Sequence, residues 1–328
     1  MFSPPLTGPA GAATPIPSPS PAPCSKTSAP TCRDNRCITN ARAYWSLTLC
    51  AAIWGFSWLC GRVIAAEGVP PAYGAFGRFA FGSLGLLAVM LFHRPWPRLT
   101  RSLALKLGAM GFTGVFLYNV CFFTGLKTVP AGRASLMAAL QPSVIFVFSA
   151  LVWGEAIRPF KIAGLAISVA GATLVLSQGD FAKLLAGGLN SGDLWILGCV
   201  FSWVSYTLIG RLLTGKLPAV ASTAYSTWLG AALLAVFALV EPYTPVTSFS
   251  PHAWAASAFL GLLGTSLAFL LFLQGVGHIG ASRASIFINL VPVFGVLFSA
   301  VILRESLSLA TLAGGAFTIL GVRLLNRG

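Results

Sequence analysis

The sequence predicts an all-α polytopic membrane protein of ten transmembrane helices, arranged as two inverted five-helix repeats. Three observations carry that prediction. Of the 328 residues, 56% are hydrophobic and only 9% are charged, against about 25% charged in an ordinary soluble domain. Apolar runs recur that exceed the roughly 18 residues marking a membrane span. A soluble α/β chain would instead set short apolar strands between charged helices, and a membrane β-barrel would alternate apolar and polar residues over segments of about ten. Finally, the second half repeats the first. "GRASLMAALQP" at 132–142 returns as "SRASIFINLVP" at 282–292, an offset of 150 (283 − 133 = 150).

Residues 1–42 differ from everything after them. The stretch "PIPSPSPAPCSKTSAP" is rich in Pro, Ser and Ala, has no apolar periodicity and has no signal-peptide core. It cannot bury enough surface to order itself, so 1–42 reads as a disordered cytoplasmic tail. Ten spans follow, at 43–65, 72–92, 103–125, 131–152, 158–177, 193–213, 219–240, 253–276, 283–303 and 308–325. Each is close to the roughly 20 residues that cross about 30 Å of hydrocarbon. Turn signals such as "EGVPP", "HRPWPR", "LNSGD" and "EPYTP" separate them. The first repeat is 43–177 and the second 193–325.

The net charge of +14 is spread through short loops and forms no block or stripe, so nucleic acid is not an expected partner. Such charges set topology instead. With the N-terminus inside, twelve basic residues from Arg42 to Arg327 fall on the inner side, among them Arg94, Arg98, Arg101, Arg158, Lys161 and Arg211. Four fall outside: Lys127, Arg133, Lys183 and Arg304. The positive-inside rule then places both termini in the cytoplasm and the protein in the cell (inner) membrane.

Comparing 111–175 with 261–325 without gaps gives twenty identities in sixty-five positions, including Arg133/Arg283, Pro142/Pro292 and Glu155/Glu305. Membrane composition inflates matches at Leu, Ala and Gly, but not matched Arg, Pro and Glu in register. The front parts align at an offset of 149: Cys50/Cys199, Trp54/Trp203, Leu59/Leu208, Gly61/Gly210 and Arg62/Arg211. Because five is odd, the second copy enters the membrane from the opposite side. Inverted-topology repeats of this kind recur in secondary transporters.

The phrase "GLKTVPAGRASLMAALQPSVIFVFSALVWGEAIRPFKIAGLAISVAGATLVL" and its counterpart "GVGHIGASRASIFINLVPVFGVLFSAVILRESLSLATLAGGAFTILGV" resemble the second half of an EamA domain of the drug/metabolite transporter superfamily. The shared pattern is a Pro in the fourth span, then a Glu, then a glycine-spaced helix. Pro142, Glu155, Gly164 and Gly171 fit it, as do Pro292, Glu305, Gly314 and Gly321. "FGRFAFGSLGLL" is similar to the second-span pattern. The resemblance implies ten helices, two EamA domains and movement of small metabolites such as amino acids. One departure is Gly154 before the first Glu against Arg304 before the second.

All seven acids lie in the tail, in loops or at span ends, which argues against a mid-membrane carboxylate relay. An arginine at the bilayer centre costs about 2.5–3.5 kcal/mol on insertion scales. Arg78 is therefore the candidate cation for a substrate carboxylate, with snorkelling as its structural alternative. Arg62 is expected to snorkel. Arg133 and Arg283 are expected as interfacial anchors at helix starts. Glu155 and Glu305 are expected to sit at the N-termini of the fifth and tenth spans and gain from the helix dipole. Pro142 and Pro292 each remove a backbone hydrogen bond and are candidate hinges. Trp54, Ser57, Tyr118, Asn119, Trp203, Tyr206 and Asn289 are candidate substrate-binding residues, with Gln141 and Gln274 as further polar groups at membrane depth.

No P-loop, cofactor motif or zinc spacing is present, and no catalytic residue, cofactor or metal is expected. The leading expectation is a secondary transporter that moves a small metabolite, an amino acid or similar, by alternating access, with export favoured. Its partners are the small-molecule substrate, the lipid bilayer, and a proton or counter-substrate as the candidate coupling species. The alternatives are a non-transporting scaffold or sensor, and a nucleotide-sugar or organic-anion exchanger of the same superfamily. A membrane-embedded enzyme would need a nucleophile–base pair or metal cluster at membrane depth, which the sequence lacks.

Overall fold

The computed structural model describes residues 31–92, 96–154, 158–180, 182, 189–213, 215–241, 249–279, 284 and 287–325. The chain divides into Met1–Ile38 and a body, Thr39–Gly328. Of the first unit, only helical backbone from Thr31 is described. Among the described residues there is no strand.

Eight helices are long and apolar enough to cross a bilayer. They are α1 (Thr31–Ala66, with its apolar part Ala41–Ala66), α2 (Pro71–Phe92), α3 (Arg101–Gly125), α4 (Ala131–Val152), α5 (Pro159–Ser177), α6 (Ser191–Arg211), α7 (Ala219–Val240) and α8 (Pro251–Phe272). Two shorter helices, α9 (Leu290–Ile302) and α10 (Leu309–Leu325), complete the ten. The expected boundary at residue 42 falls inside α1. From Thr31 to Val69 the chain has no proline to interrupt a helix, and α1 is continuous from Thr31 to Ala66. The first part of the expected ninth span lies largely outside the described residues.

Helix starts follow local chemistry. Thr100 accepts from the Leu103 N–H ahead of α3, and Ser250 accepts from the Ala253 N–H ahead of α8, where Pro251 takes the first turn. Asn190 and Asp193 form a reciprocal capping box on α6. After α9, Arg304 adopts a left-handed conformation (φ 54°), as its repeat equivalent Gly154 does (φ 64°). The departure noted in the sequence is thus an arginine where the turn favours glycine.

The outside of the bundle is apolar: Leu239 and Leu309 are both 85% exposed, and Phe92 is 88% exposed. Surface of this kind is suited to lipid. Inside, the two repeats pack by equivalent contacts. Gly111 of α3 lies against α7, where an added Cβ would meet the Ser226 carbonyl at 2.7 Å. Its equivalent Gly261 of α8 lies against α2, with the Gly82 nitrogen 2.7 Å from the same added atom. Both α3 and α8 are π-helical there, over Gly111–Leu117 and Phe259–Leu267. The fifth helix of each repeat packs on its counterpart. A Cβ on Gly171 would stand 2.5 Å from the Gly314 carbonyl, and one on Gly314 would stand 2.6 Å from the Gly171 carbonyl. The spaced glycines of α5 and α10 let two backbones touch, the usual means of close helix approach in membranes.

Gly314→Ala is accordingly expected to destabilise the bundle by about 1–3 kcal/mol through overpacking. Gly108→Ala, at a position with no atom within 4 Å, is expected to leave stability unchanged or raise it by up to about 1 kcal/mol. Thermal unfolding in detergent, followed by helical circular dichroism, checks both; equal shifts would refute the close crossing.

Candidate functional site

The body encloses a cavity of ≈ 360 Å³ lined by residues of α1–α4 and α6–α9 and the segment leading into α9, four helices from each repeat. Helices α5 and α10 contribute nothing to its wall. The wall includes Trp54, Ser57, Arg78, Tyr118, Asn119, Trp203, Tyr206 and Asn289, together with Pro142 and Pro292. Gln141 lines it as well, whereas Gln274 is exposed away from it.

Local backbone chemistry opens this space. Helix α4 is interrupted by a turn at Ala139–Leu140, and its second half, Gln141–Trp153, carries Pro142 in its first turn. The equivalent interruption precedes α9 at Asn289, with Pro292 in the first turn that follows. Proline has no N–H to donate back to the preceding turn, so each helix breaks at the cavity wall. Gly114 and Gly264 leave room on the facing helices: an added Cβ on Gly114 would strike the Tyr206 ring, and one on Gly264 would lie 2.9 Å from Ser57 Oγ. The two contacts are repeat equivalents, since Ser57 and Tyr206 differ by 149 (206 − 57 = 149).

Arg78 sits two turns into α2. Its Nη1 donates to Asn119 Oδ1 at 3.1 Å and its Nε to Thr265 Oγ1 at 3.5 Å. Asn119 Nδ2 donates to the Val115 carbonyl at 2.7 Å, which turns the amide oxygen towards the arginine. The guanidinium carbon also lies 5.3 Å from the Phe79 ring centroid and 5.7 Å from that of Phe122. No described carboxylate is ion-paired with it. Trp54 is held by its Nε1–H donating to the Gly264 carbonyl at 3.0 Å. Tyr118, Trp203 and Tyr206 form a run of rings, with centroids 5.8 and 5.2 Å apart.

Trp58, Phe79, Phe122, Thr223, Thr227 and Thr265 also line the cavity and were not anticipated. The i, i+4 spacing of Thr223 and Thr227, which puts both on one face of the seventh span, was the available signal. The phenylalanines gave none, because an apolar ring on a helix faces core, lipid or cavity with the same sequence signature.

Consecutive helices alternate direction, so the bundle has a near face, where α1 starts, and a far face, where it ends. Two ion pairs lie at the far face, and both correct the sequence reading. Arg133 is no interfacial anchor. It is 9% exposed; its Nη2 lies 3.0 Å from Asp193 Oδ2 and donates to the Leu176 carbonyl at 2.9 Å. Burial left the arginine no water, so the capping acid of α6 became its partner. Among the described residues, Arg133 Nε and Asp193 Oδ1 have no hydrogen-bond partner. Glu305 does not cap the tenth helix. It pairs with Arg62 at 3.6 Å and accepts from Ser299 Oγ, while Ser308 caps α10 by accepting from the Thr311 N–H. Arg62 in turn donates to the Leu126 and Lys127 carbonyls instead of snorkelling. Glu155 and Arg283 lie outside the described residues. Two further ties join the far face, Ser250 Oγ to Glu67 and the Ala72 N–H to Glu241.

A membrane-spanning helical bundle with two intertwined five-helix repeats and a polar, aromatic cavity between them defines the architecture of a carrier. Residues 41–177 and 190–327 each match the EamA-like transporter family, and the chain belongs to that family. It is 30% identical over 286 residues to an uncharacterized transporter of Archaeoglobus fulgidus, covering 87% of this chain and 97% of that one. It is 28% identical over 293 residues to a probable terminal-alkyne amino-acid exporter of Streptantibioticus cattleyicolor, covering 88% and 94% of the two chains. A solved crystal structure shares the fold, with a TM-score of 0.60 at 23% identity over 85% of this chain and 98% of that one. The protein is a transporter of the membrane.

Removing one partner of the buried Arg133–Asp193 pair leaves an uncompensated charge. Asp193→Ala is therefore expected to cost about 3–5 kcal/mol, and the double change Arg133→Met with Asp193→Leu is expected to recover most of it. Unfolding in mixed micelles compares the three proteins.

Proposed function

We propose that the protein is a secondary transporter that exports a small metabolite, an amino acid or similar, across the cell (inner) membrane by alternating access. The observation that supports this best is the central cavity, walled by four helices from each of two inverted repeats. Two copies of one unit in opposite orientation give two conformations of similar energy, each open to one side. Arg78 takes the charged end of the substrate, Asn119 and Thr265 hold the guanidinium, and the rings of Trp54, Tyr118, Trp203 and Tyr206 enclose the body. Ser57 and Asn289 add polar contacts. The breaks at Pro142 and Pro292 are the hinges.

The charge bias makes the near face cytoplasmic, with both termini there. The far-face pairs Arg62–Glu305 and Arg133–Asp193 then close the outer side. Lining residues such as Tyr206, Thr207 and Thr223 extend the cavity towards the near face, which suits loading from the cytoplasm. The relative named as an amino-acid exporter supports the direction and the substrate size. A purely structural scaffold would have no use for a cavity of this volume. A proton or counter-substrate is the proposed coupling species, and residues 1–42 are proposed as a tail outside the transport unit.

Reconstituted protein, loaded with a metabolite panel with and without a pH gradient, tests the reading. Arg78→Ala is expected to lower transport at least tenfold with normal membrane insertion, and unchanged transport would remove Arg78 from the site. In a cysteine-free background, Ser191→Cys should react with an impermeant maleimide added outside whole cells; reaction only after permeabilisation would reverse the topology.

A further inference from the structure

We propose that the cavity selects an organic monoanion, a single carboxylate or sulfonate on an aromatic or apolar body, over a zwitterion, and that transport is therefore electrogenic. This rests on the cavity being the transport site of a small metabolite, and it replaces the amino acid of that reading by an acid that lacks the ammonium. The first support is charge. Among the described residues of the wall, Arg78 is the one formally charged group, and no Asp or Glu accompanies it. Its recorded acceptors, Asn119 Oδ1 and Thr265 Oγ1, are neutral. They orient the guanidinium without cancelling its charge. Asn119 is itself anchored through Val115, so its amide cannot turn a donor towards the arginine without losing that bond. A cation held this way is completed by one anion.

A zwitterion presents the same carboxylate but also an ammonium. The described wall has no carboxylate to pair that ammonium, so the site holding a zwitterion keeps a net positive charge, whereas the site holding a monoanion is neutral. The second support is the shape of the remaining wall. Trp54 packs against Phe269 and Phe272, each with centroids 5.7 Å away, and Tyr118, Trp203 and Tyr206 continue the aromatic surface. These rings suit a flat apolar body beside the single charged end.

The consequence concerns the driving force. Each substrate carries one negative charge across the membrane, and the described cavity wall has no carboxylate to supply a compensating proton. An inside-negative potential of 100 mV then favours the outer side by about 50-fold, the equivalent of about 2.3 kcal/mol per charge. On this account the membrane potential drives export in place of the proton or counter-substrate proposed above.

Four ligands with one phenyl body separate the possibilities: phenylacetate, phenylacetamide, phenylalanine and phenethylammonium. Equilibrium dialysis with the purified full chain should show phenylacetate binding at least tenfold tighter than the other three. Proteoliposomes loaded with benzenesulfonate, which stays ionised and does not leak as a neutral acid, should empty faster when valinomycin sets the interior negative. Arg78→Gln should bring phenylacetate down to the affinity of phenylacetamide, and Arg78→Lys should keep the preference for the anion; circular dichroism and gel filtration establish that both variants are folded. Phenylalanine binding as tightly as phenylacetate, no binding of any of the four, or efflux indifferent to potential overturns the inference. Arg78-dependent efflux of phenylalanine or of an unrelated metabolite from the same vesicles would leave the transport reading standing while this one falls.

Discussion

A polar group carried into a bundle of this composition has no water to turn to, and much of the structure follows from where each such group finds its partner. Backbone groups in hydrocarbon are satisfied within helices, so every break in a helix and every buried charge must be answered by another part of the protein. The ion pairs answer in one way. Arg133 reaches Asp193 across the junction of the two repeats, and Arg62 gathers two carbonyls and Glu305. Arg78 answers in another: it is steadied by neutral oxygens and keeps its charge. The first kind of arrangement locks a face of the bundle. The second leaves an arginine whose charge no described carboxylate balances.

The repeat explains why the site lies where it does. Gly111 and Gly261 bring α3 onto α7 and α8 onto α2, so each repeat reaches into the other. Gly171 and Gly314 press α5 onto α10 outside the cavity. Helices that pack backbone to backbone at one level diverge at another, and the broken helices α4 and α9 widen the gap further. The cavity is the space left by two copies of one unit that cannot fill each other's centre.

Several elements were legible because they leave a periodic or compositional trace. The ten apolar segments were visible as length, the inversion as an odd count, and the broken helices as Pro142 and Pro292. Arg78 stood out because an arginine two turns into an apolar span is expensive. The partners were not legible. Asp193 reads as a capping residue, and it is one, but the same carboxylate also neutralises Arg133 from sixty positions away (193 − 133 = 60). Glu305 looked like a helix-dipole acid because its distance from α1 in sequence concealed Arg62.

What the sequence determined by itself is the class of structure: the medium it lives in, the number of helices, their alternation, and the doubling of the unit. These follow from hydrophobic length and local backbone chemistry, which each segment carries alone. Tertiary structure decided which faces of those helices meet. Arg133 and Arg78 are the same residue type, and both point into the bundle, yet one is neutralised and one is not. The difference lies in what the neighbouring helix presents, Asp193 in one case and Asn119 in the other. That choice is made by packing between segments far apart in the chain, and no local pattern records it.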